Sequence, residues 1–158
     1  NDTNLMELSQ FTDYSLRALV YVGICEGTQC SITDVAEAFS ISRNHVMKVV
    51  QNLGRLGYLE TRRGRGGGIQ LKRPPEEIIV GDVVRKTENF GLVECLPPRK
   101  GHCCIAGVCE LQNALRKAAT AFLSELDKYT VADITRNKQI LKHRLKTKPS
   151  AQPAPPSP

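Results

Sequence analysis

The sequence predicts a mainly α-helical protein: a winged helix-turn-helix, made of three helices plus a β-hairpin wing, followed by a long C-terminal dimerisation helix. Three observations predict it. Two short helical patterns, each opening on a capping serine, flank the turn Ser40-Ile41-Ser42. Two alternating segments joined by an arginine- and glycine-rich tip come directly after them. A helical apolar stripe then runs through residues 109–129. At 158 residues and 41% apolar content the chain suits one domain of ordinary size, or a small domain with an added helix. No run approaches the roughly 18 apolar residues of a membrane span.

Each element has a local cause. Ser9 caps a first helix with Phe11, Tyr14, Ala18 and Val22 on one stripe, and Gly27 ends it. Ser31-Ile32-Thr33-Asp34 reads as a capping box, because an acid three residues on bonds back to the cap amide. A short helix follows to about Phe39. Ser42 caps the third helix, with Val46, Val49, Val50 and Leu53 at helical spacing, and Gly57 stops it. Tyr58-Leu59-Glu60-Thr61 and Ile69-Gln70-Leu71-Lys72 alternate as the arms of a hairpin. Pro74-Pro75 closes the unit, and Gly81 to about Glu88 reads as another short helix. Residues 92–109 are irregular. The helix from Cys109 to Tyr129 carries Leu111, Leu115, Ala118, Phe122 and Leu126 on one face, and a second copy of that helix is the expected partner surface. Thr130 with Asp133 caps one last short turn. The expected division is 1–75 winged helix-turn-helix, 76–110 connecting helix and cysteine loop, 111–146 dimerisation helix and C-terminal segment, and 147–158 a disordered Pro-rich tail.

The net charge is +6, and its distribution says more than its size. Residues 33–75 carry eight bases against three acids, and residues 136–158 carry six bases and no acid. Excess charge confined to two segments suits a face that meets a polyanion, against the alternative of a solvated surface with a basic tail. With no Trp and 5% aromatics, a base-stacking platform for single strands is disfavoured.

A helix-turn-helix sets the start of its second helix against base edges. Those residues are Ser42, Arg43, Asn44 and His45, with Lys48 one turn on. Arg bonds guanine bidentately and Asn bonds adenine. At the wing tip, Arg62, Arg63 and Arg65 stand among four glycines, so guanidinium groups can reach a groove while the backbone comes close. A nucleotide-phosphate loop does not fit, because Ile69-Gln70 occupies the place of its Lys-Ser/Thr. The three histidines show no nucleophile or acid–base pattern, so no enzyme is expected.

The start, NDTNLMELSQF, lacks the basic and apolar stretches of a secretory leader, so a cytoplasmic location and reduced thiols are expected. Cys95, Cys103, Cys104 and Cys109 fall close together. Their wide spacing favours an iron–sulfur cluster over zinc, which prefers tight Cys knuckles, and zinc over free thiols. Cys25 and Cys30 are expected to be packing or incidental residues.

Several separated motifs occur in order: Gln10-Phe-Thr-Asp13-Tyr-Ser-Leu-Arg-Ala-Leu19, Ser42-Arg-Asn-His45, Arg62-Arg-Gly-Arg-Gly-Gly-Gly-Ile69, Gly81-Asp-Val-Val-Arg85 and the cysteine loop. Over about Met6 to Ile134 the chain resembles the Rrf-two-type winged-helix transcriptional regulators, and among them the nitric-oxide-sensing branch. The resemblance implies a homodimer with an iron–sulfur cluster, [2Fe–2S] or [4Fe–4S], between the winged domain and the dimer helix. It implies three Cys ligands and an Asp from the other subunit; the matching positions are Cys95, Cys103, Cys109 and Asp13. Cys103 is preferred to Cys104 because C-x₅-C to Cys109 matches the family pattern. The gap after Cys95 is longer than usual, which keeps Cys104 and His102 as alternative ligands. Gln112 stands where another branch of the family has a histidine.

The expected function is a repressor that binds double-stranded operator DNA as a homodimer while its cluster is intact and releases it on reaction with nitric oxide, with no membrane partner. A same-family sensor of iron, cluster status or redox state is the alternative. An iron–sulfur electron-transfer protein is the alternative of another class, although the wing arginines have no role in it.

Overall fold

A computed structural model describes residues 7–25, 29–65, 67–93, 96, 101 and 103–146. Helix α1 (Gln10–Ile24) opens on Ser9, whose hydroxyl accepts the Thr12 amide and satisfies a first-turn donor that has no partner within the helix. Helix α2 (Ile32–Phe39) opens on the expected capping box, with the Ser31 amide donating to Asp34 at 2.7 Å. Ser40 ends α2 in the left-handed region at φ 55°. Ser42 then caps α3 (Arg43–Arg55), accepting the His45 amide at 3.3 Å. Strands β1 (Leu59–Arg62) and β2 (Gly68–Leu71) pair antiparallel with Leu59 opposite Leu71 and Arg62 opposite Gly68, forming the wing. Tyr58 stays out of the strand, because its amide bonds Leu53 O and closes α3.

A 3₁₀ turn (Pro75–Glu77) leads to α4 (Val80–Thr87), and then come α5 (Glu110–Leu126), α6 (Val131–Ile134) and α7 (Lys138–Lys146). A second capping box, Thr130 with Asp133, opens α6. Paired amides join the 3₁₀ turn to this region: Val131 N–H donates to Ile78 O, and Val80 N–H to Tyr129 O, each at 2.9 Å.

The core lies between α1, α2, α3 and the wing's base, around Leu19, Val35, Val46, Val49, Leu53, Tyr58 and Ile69. Val131 of α6 joins it. The expected α3 stripe is buried in full. The expected α1 stripe needs correction: Ala18 and Val22 are buried, but Phe11 is exposed, while Thr12, Ser15 and Leu19 are buried instead. Helix α1 packs against α2, α3, α4, α6 and β2, so it buries more than one stripe. Its inward hydroxyls are satisfied locally, Ser15 Oγ donating to Phe11 O at 2.7 Å. The helix ends at Ile24 with Cys25 as its cap, and Gly27 lies outside the described residues.

Helix α5 buries none of its residues in the single chain, and Leu111 is 64% exposed. Phe122 meets Phe90, ring centroids 6.1 Å apart. Helix α7 has no counterpart in the sequence reading. It lies against α1 and α2, with Leu141 and Leu145 half-buried. Among the described residues no helix is long and apolar enough to cross a membrane.

Candidate nucleic-acid interface and cysteine loop

The third helix is anchored by Val46, Val49, Val50 and Leu53, which leaves its opposite face outward. Ser42, Arg43, Asn44, His45 and Lys48 are all exposed. No acid lies in the first turn of α3, so Arg43 and the unpaired amides of the helix start meet no local negative charge. This head touches α1. Tyr14 and His45 rings stand 6.0 Å apart, over a cleft of about 280 Å³ lined also by Gln10, Phe11 and Lys48.

The wing tip turns on glycines that nothing larger can replace. A β-carbon at Gly67 would lie 2.4 Å from Arg62 O, and one at Gly68 would lie 2.4 Å from Cys30 O. Arg62, Arg63 and Arg65 are exposed. Arg62 is paired with Glu60 at 3.1 Å, whereas Arg63 and Arg65 make no ion pair among the described residues. Two neighbouring cations serve the fold instead. Arg73 lies over the Tyr58 ring at 4.8 Å and donates to Gly57 O, and Lys86 donates to the Tyr58 hydroxyl at 3.0 Å. Charge counting alone does not separate these two roles.

Asp13 stands in the first turn of α1, partly exposed, its carboxylate 2.9 Å from Arg17 Nε. Arg17 in turn lies over the Phe39 ring of α2 at 5.7 Å. The start of α1 is held from the far side by Glu88, whose carboxylate accepts the Ser9 amide at 2.7 Å. Partial burial works to raise the Glu88 pKa, but hydrogen bonds from the Ser9 and Asn89 amides outweigh it and hold the carboxyl below its usual range. The sequence reading missed Glu88, because its partner is 79 residues away and no local pattern connects them.

In the cysteine loop, Cys103 and Cys104 are exposed free thiols, and Cys109 is the half-buried N-cap residue of α5, whose sulfur makes no capping bond. Cys103 O accepts the Ala106 amide at 3.1 Å, and Gly107 N–H points to Gln112 Oε1 at 3.5 Å. Gln112 therefore braces the loop. Cys95 and His102 lie outside the described residues. Among the described residues no three His, Cys, Asp or Glu side chains come together as metal ligands, so Asp13, Cys103 and Cys109 do not meet within one chain. The donor chemistry suits a cluster in kind, because Cys103 and Cys104 present free thiols at the surface and Cys109 a half-buried one.

Comparison with known proteins agrees with this architecture. A family model described as "Rrf2: Iron-dependent Transcriptional regulator" matches residues 8–137. The HTH-type transcriptional regulator NsrR of Bacillus subtilis (strain 168) is 49% identical over 145 residues, which cover 90% of this chain and 99% of the relative. NsrR of Geobacillus kaustophilus (strain HTA426) is 47% identical over 143 residues, covering 89% and 97%. Among solved structures, T. potens IscR superposes with a TM-score of 0.69 at 21% identity, over 84% of this chain and 88% of that one. Staphylococcus aureus CymR gives 0.64 at 26% identity, over 80% and 96%.

Proposed function

The chain belongs to the Rrf2 family of transcriptional regulators, and from that premise we propose that it is a cytoplasmic, nitric-oxide-sensitive repressor that grips operator DNA as a homodimer only while it carries an iron–sulfur cluster. The family and the relatives are regulators, not enzymes. The observation that carries the reading is the N-terminal half of α1. It places the candidate ligand Asp13 beside both helices of the helix-turn-helix: Arg17, its ion-pair partner, lies over Phe39 of α2, and its chain neighbour Tyr14 meets His45 of α3.

When bound, the cluster supplies thiolate-held iron that reacts with nitric oxide. Cys95, Cys103 and Cys109 would hold it, with Asp13 of the partner subunit as the oxygen donor. The chain's own residues do the rest. An Asp13 carboxylate engaged elsewhere releases Arg17, and its return to Arg17 shifts the part of α1 that carries Tyr14 against His45 of α3. Two reading heads must sit roughly 34 Å apart on a duplex, so a small change in their pose costs both contacts. A coupling of ~3 kcal/mol lowers operator affinity roughly 150-fold.

The test is anaerobic purification followed by visible absorption, native mass and a gel shift titrated with nitric oxide. Cys103→Ala is expected to lose the chromophore and operator affinity together; a colourless variant that binds normally overturns the reading. The family description favours a second reading, a sensor of iron supply. In that case an iron chelator releases the DNA and nitric oxide does not.

A further inference from the structure

Two cysteines outside the 95–109 loop share one site. Cys25 closes α1, its amide bonded to Val22 O at 3.1 Å. Cys30 stands just before the capping box of α2 and is 2% exposed. Their thiols share a hydrogen bond. Both line a cavity of about 530 Å³ at the base of the wing, together with Gln29, Arg62 and Lys72. The shared hydrogen bond, reinforced by burial, pushes the Cys30 thiol far above the ordinary thiol range. Cys30 therefore keeps its proton beside the Cys25 sulfur. Half-buried Cys25 is the one that solvent reaches.

The main chain of Cys30 moors the wing. The Ile69 amide donates to Cys30 O at 2.6 Å, and Gly68 presses so close to the same oxygen that no β-carbon fits between them. A displacement of Cys30 reaches β2 without any intermediary.

We propose that Cys25 and Cys30 are a redox dithiol that a hydroperoxide converts to an intrachain disulfide, and that closing this disulfide unmoors the wing and weakens the hold on DNA. In the first step Cys25 sulfur attacks a peroxide oxygen. An S–O bond forms, the O–O bond breaks, and water or an alcohol leaves with the thiol proton, so that Cys25 becomes a sulfenic acid. Cys30 sulfur then attacks Cys25 sulfur. The S–S bond forms, the S–O bond breaks, and hydroxide leaves as water with the Cys30 proton. Two electrons pass from the two thiols to one peroxide. The disulfide holds the sulfurs closer than a hydrogen bond does, and Cys25 is fixed at the end of α1, so Cys30 must give. None of the 95–109 loop residues takes part, and the inference stands apart from the cluster reading.

The test treats the full-length protein with one equivalent of hydrogen peroxide, then alkylates and maps the thiols by mass spectrometry. A Cys25–Cys30 linked peptide is expected, and amide exchange at Ile69 rises roughly tenfold, as the loss of one hydrogen bond implies. Dithiothreitol without added iron restores both. Cys25→Ser shows no change at Ile69 under the same peroxide. Cys30→Ser leaves a Cys25 sulfenic acid that a cyclic 1,3-dione traps. Exchange at Ile69 is read without DNA, so damage to the cluster does not imitate it. If both thiols still alkylate fully after the peroxide is consumed, or if the disulfide forms with Ile69 exchange unchanged, the proposal is overturned.

Discussion

At the wing tip, backbone contact decides which residues are possible. Gly68 sits at φ +151° against the Cys30 carbonyl, so Gly68→Ala must push β2 off its mooring, at a cost of about 1–3 kcal/mol. Chemical denaturation is expected to show that loss, and a gel shift to show weaker operator binding. Arg65→Ala separates reach from folding. Exposed and without an ion pair among the described residues, Arg65 is expected to contribute to DNA affinity and A·T-rich preference but not to stability. Arg73→Ala should do the reverse, because Arg73 lies on Tyr58 and bonds Gly57 O. Equal stability losses in the two variants would refute that division of roles. The sequence showed eight bases in residues 33–75 as one face. It had no means of showing that Arg73 folds back on an aromatic ring met only in three dimensions.

Helix starts were legible because their causes are local. Ser9, Ser31, Ser42 and Thr130 each bond an amide three residues on, and each was readable from spacing. What holds α1 in place was not readable. Glu88 reaches the Ser9 amide from the end of α4, and Phe11 turns outward because α1 is surrounded by several elements. Helix α7 also escaped, because its apolar content is little more than Ile140, Leu141 and Leu145 in a basic stretch. The Glu88 link predicts an acid sensitivity. Its carboxyl pKa is depressed in the folded state, so its stabilisation is complete above the unfolded value of about 4.3 and is lost as pH falls through the folded value. Glu88→Gln should therefore destabilise the protein at pH 7, and the gap to the unmodified protein should close as pH falls through the depressed folded value. Thermal midpoints across that range check it, and a gap that widens in acid contradicts it.

At the scale of the whole molecule, α5 fully buries none of its residues and leaves Leu111 exposed, beside a loop of exposed thiols. If that helix is the subunit seam, Leu115→Glu yields a monomer. Operator affinity then falls by roughly 10²–10⁴-fold, as two linked heads become independent. Sedimentation and a gel shift report these separately, and a variant that remains dimeric removes α5 from the seam. The angle at which α5 leaves the winged unit has its own cause. Arg85 of α4 clasps Asp127 at the end of α5 through two hydrogen bonds of 2.6 and 2.5 Å. Gly81 makes room for that carboxylate, since a β-carbon there would lie 2.0 Å from Asp127 Oδ1. The motif Gly81-Asp-Val-Val-Arg85 thus combines a space and a clamp, which spacing alone did not explain. Gly81→Ala should expel Asp127 from Arg85 while leaving the reading head and wing intact. The heads would keep their individual chemistry but lose their fixed separation. Operator affinity should then fall for the full two-site operator and stay level for a single half-site. An equal loss on both would show that the clamp supports the winged unit itself rather than the pose of α5.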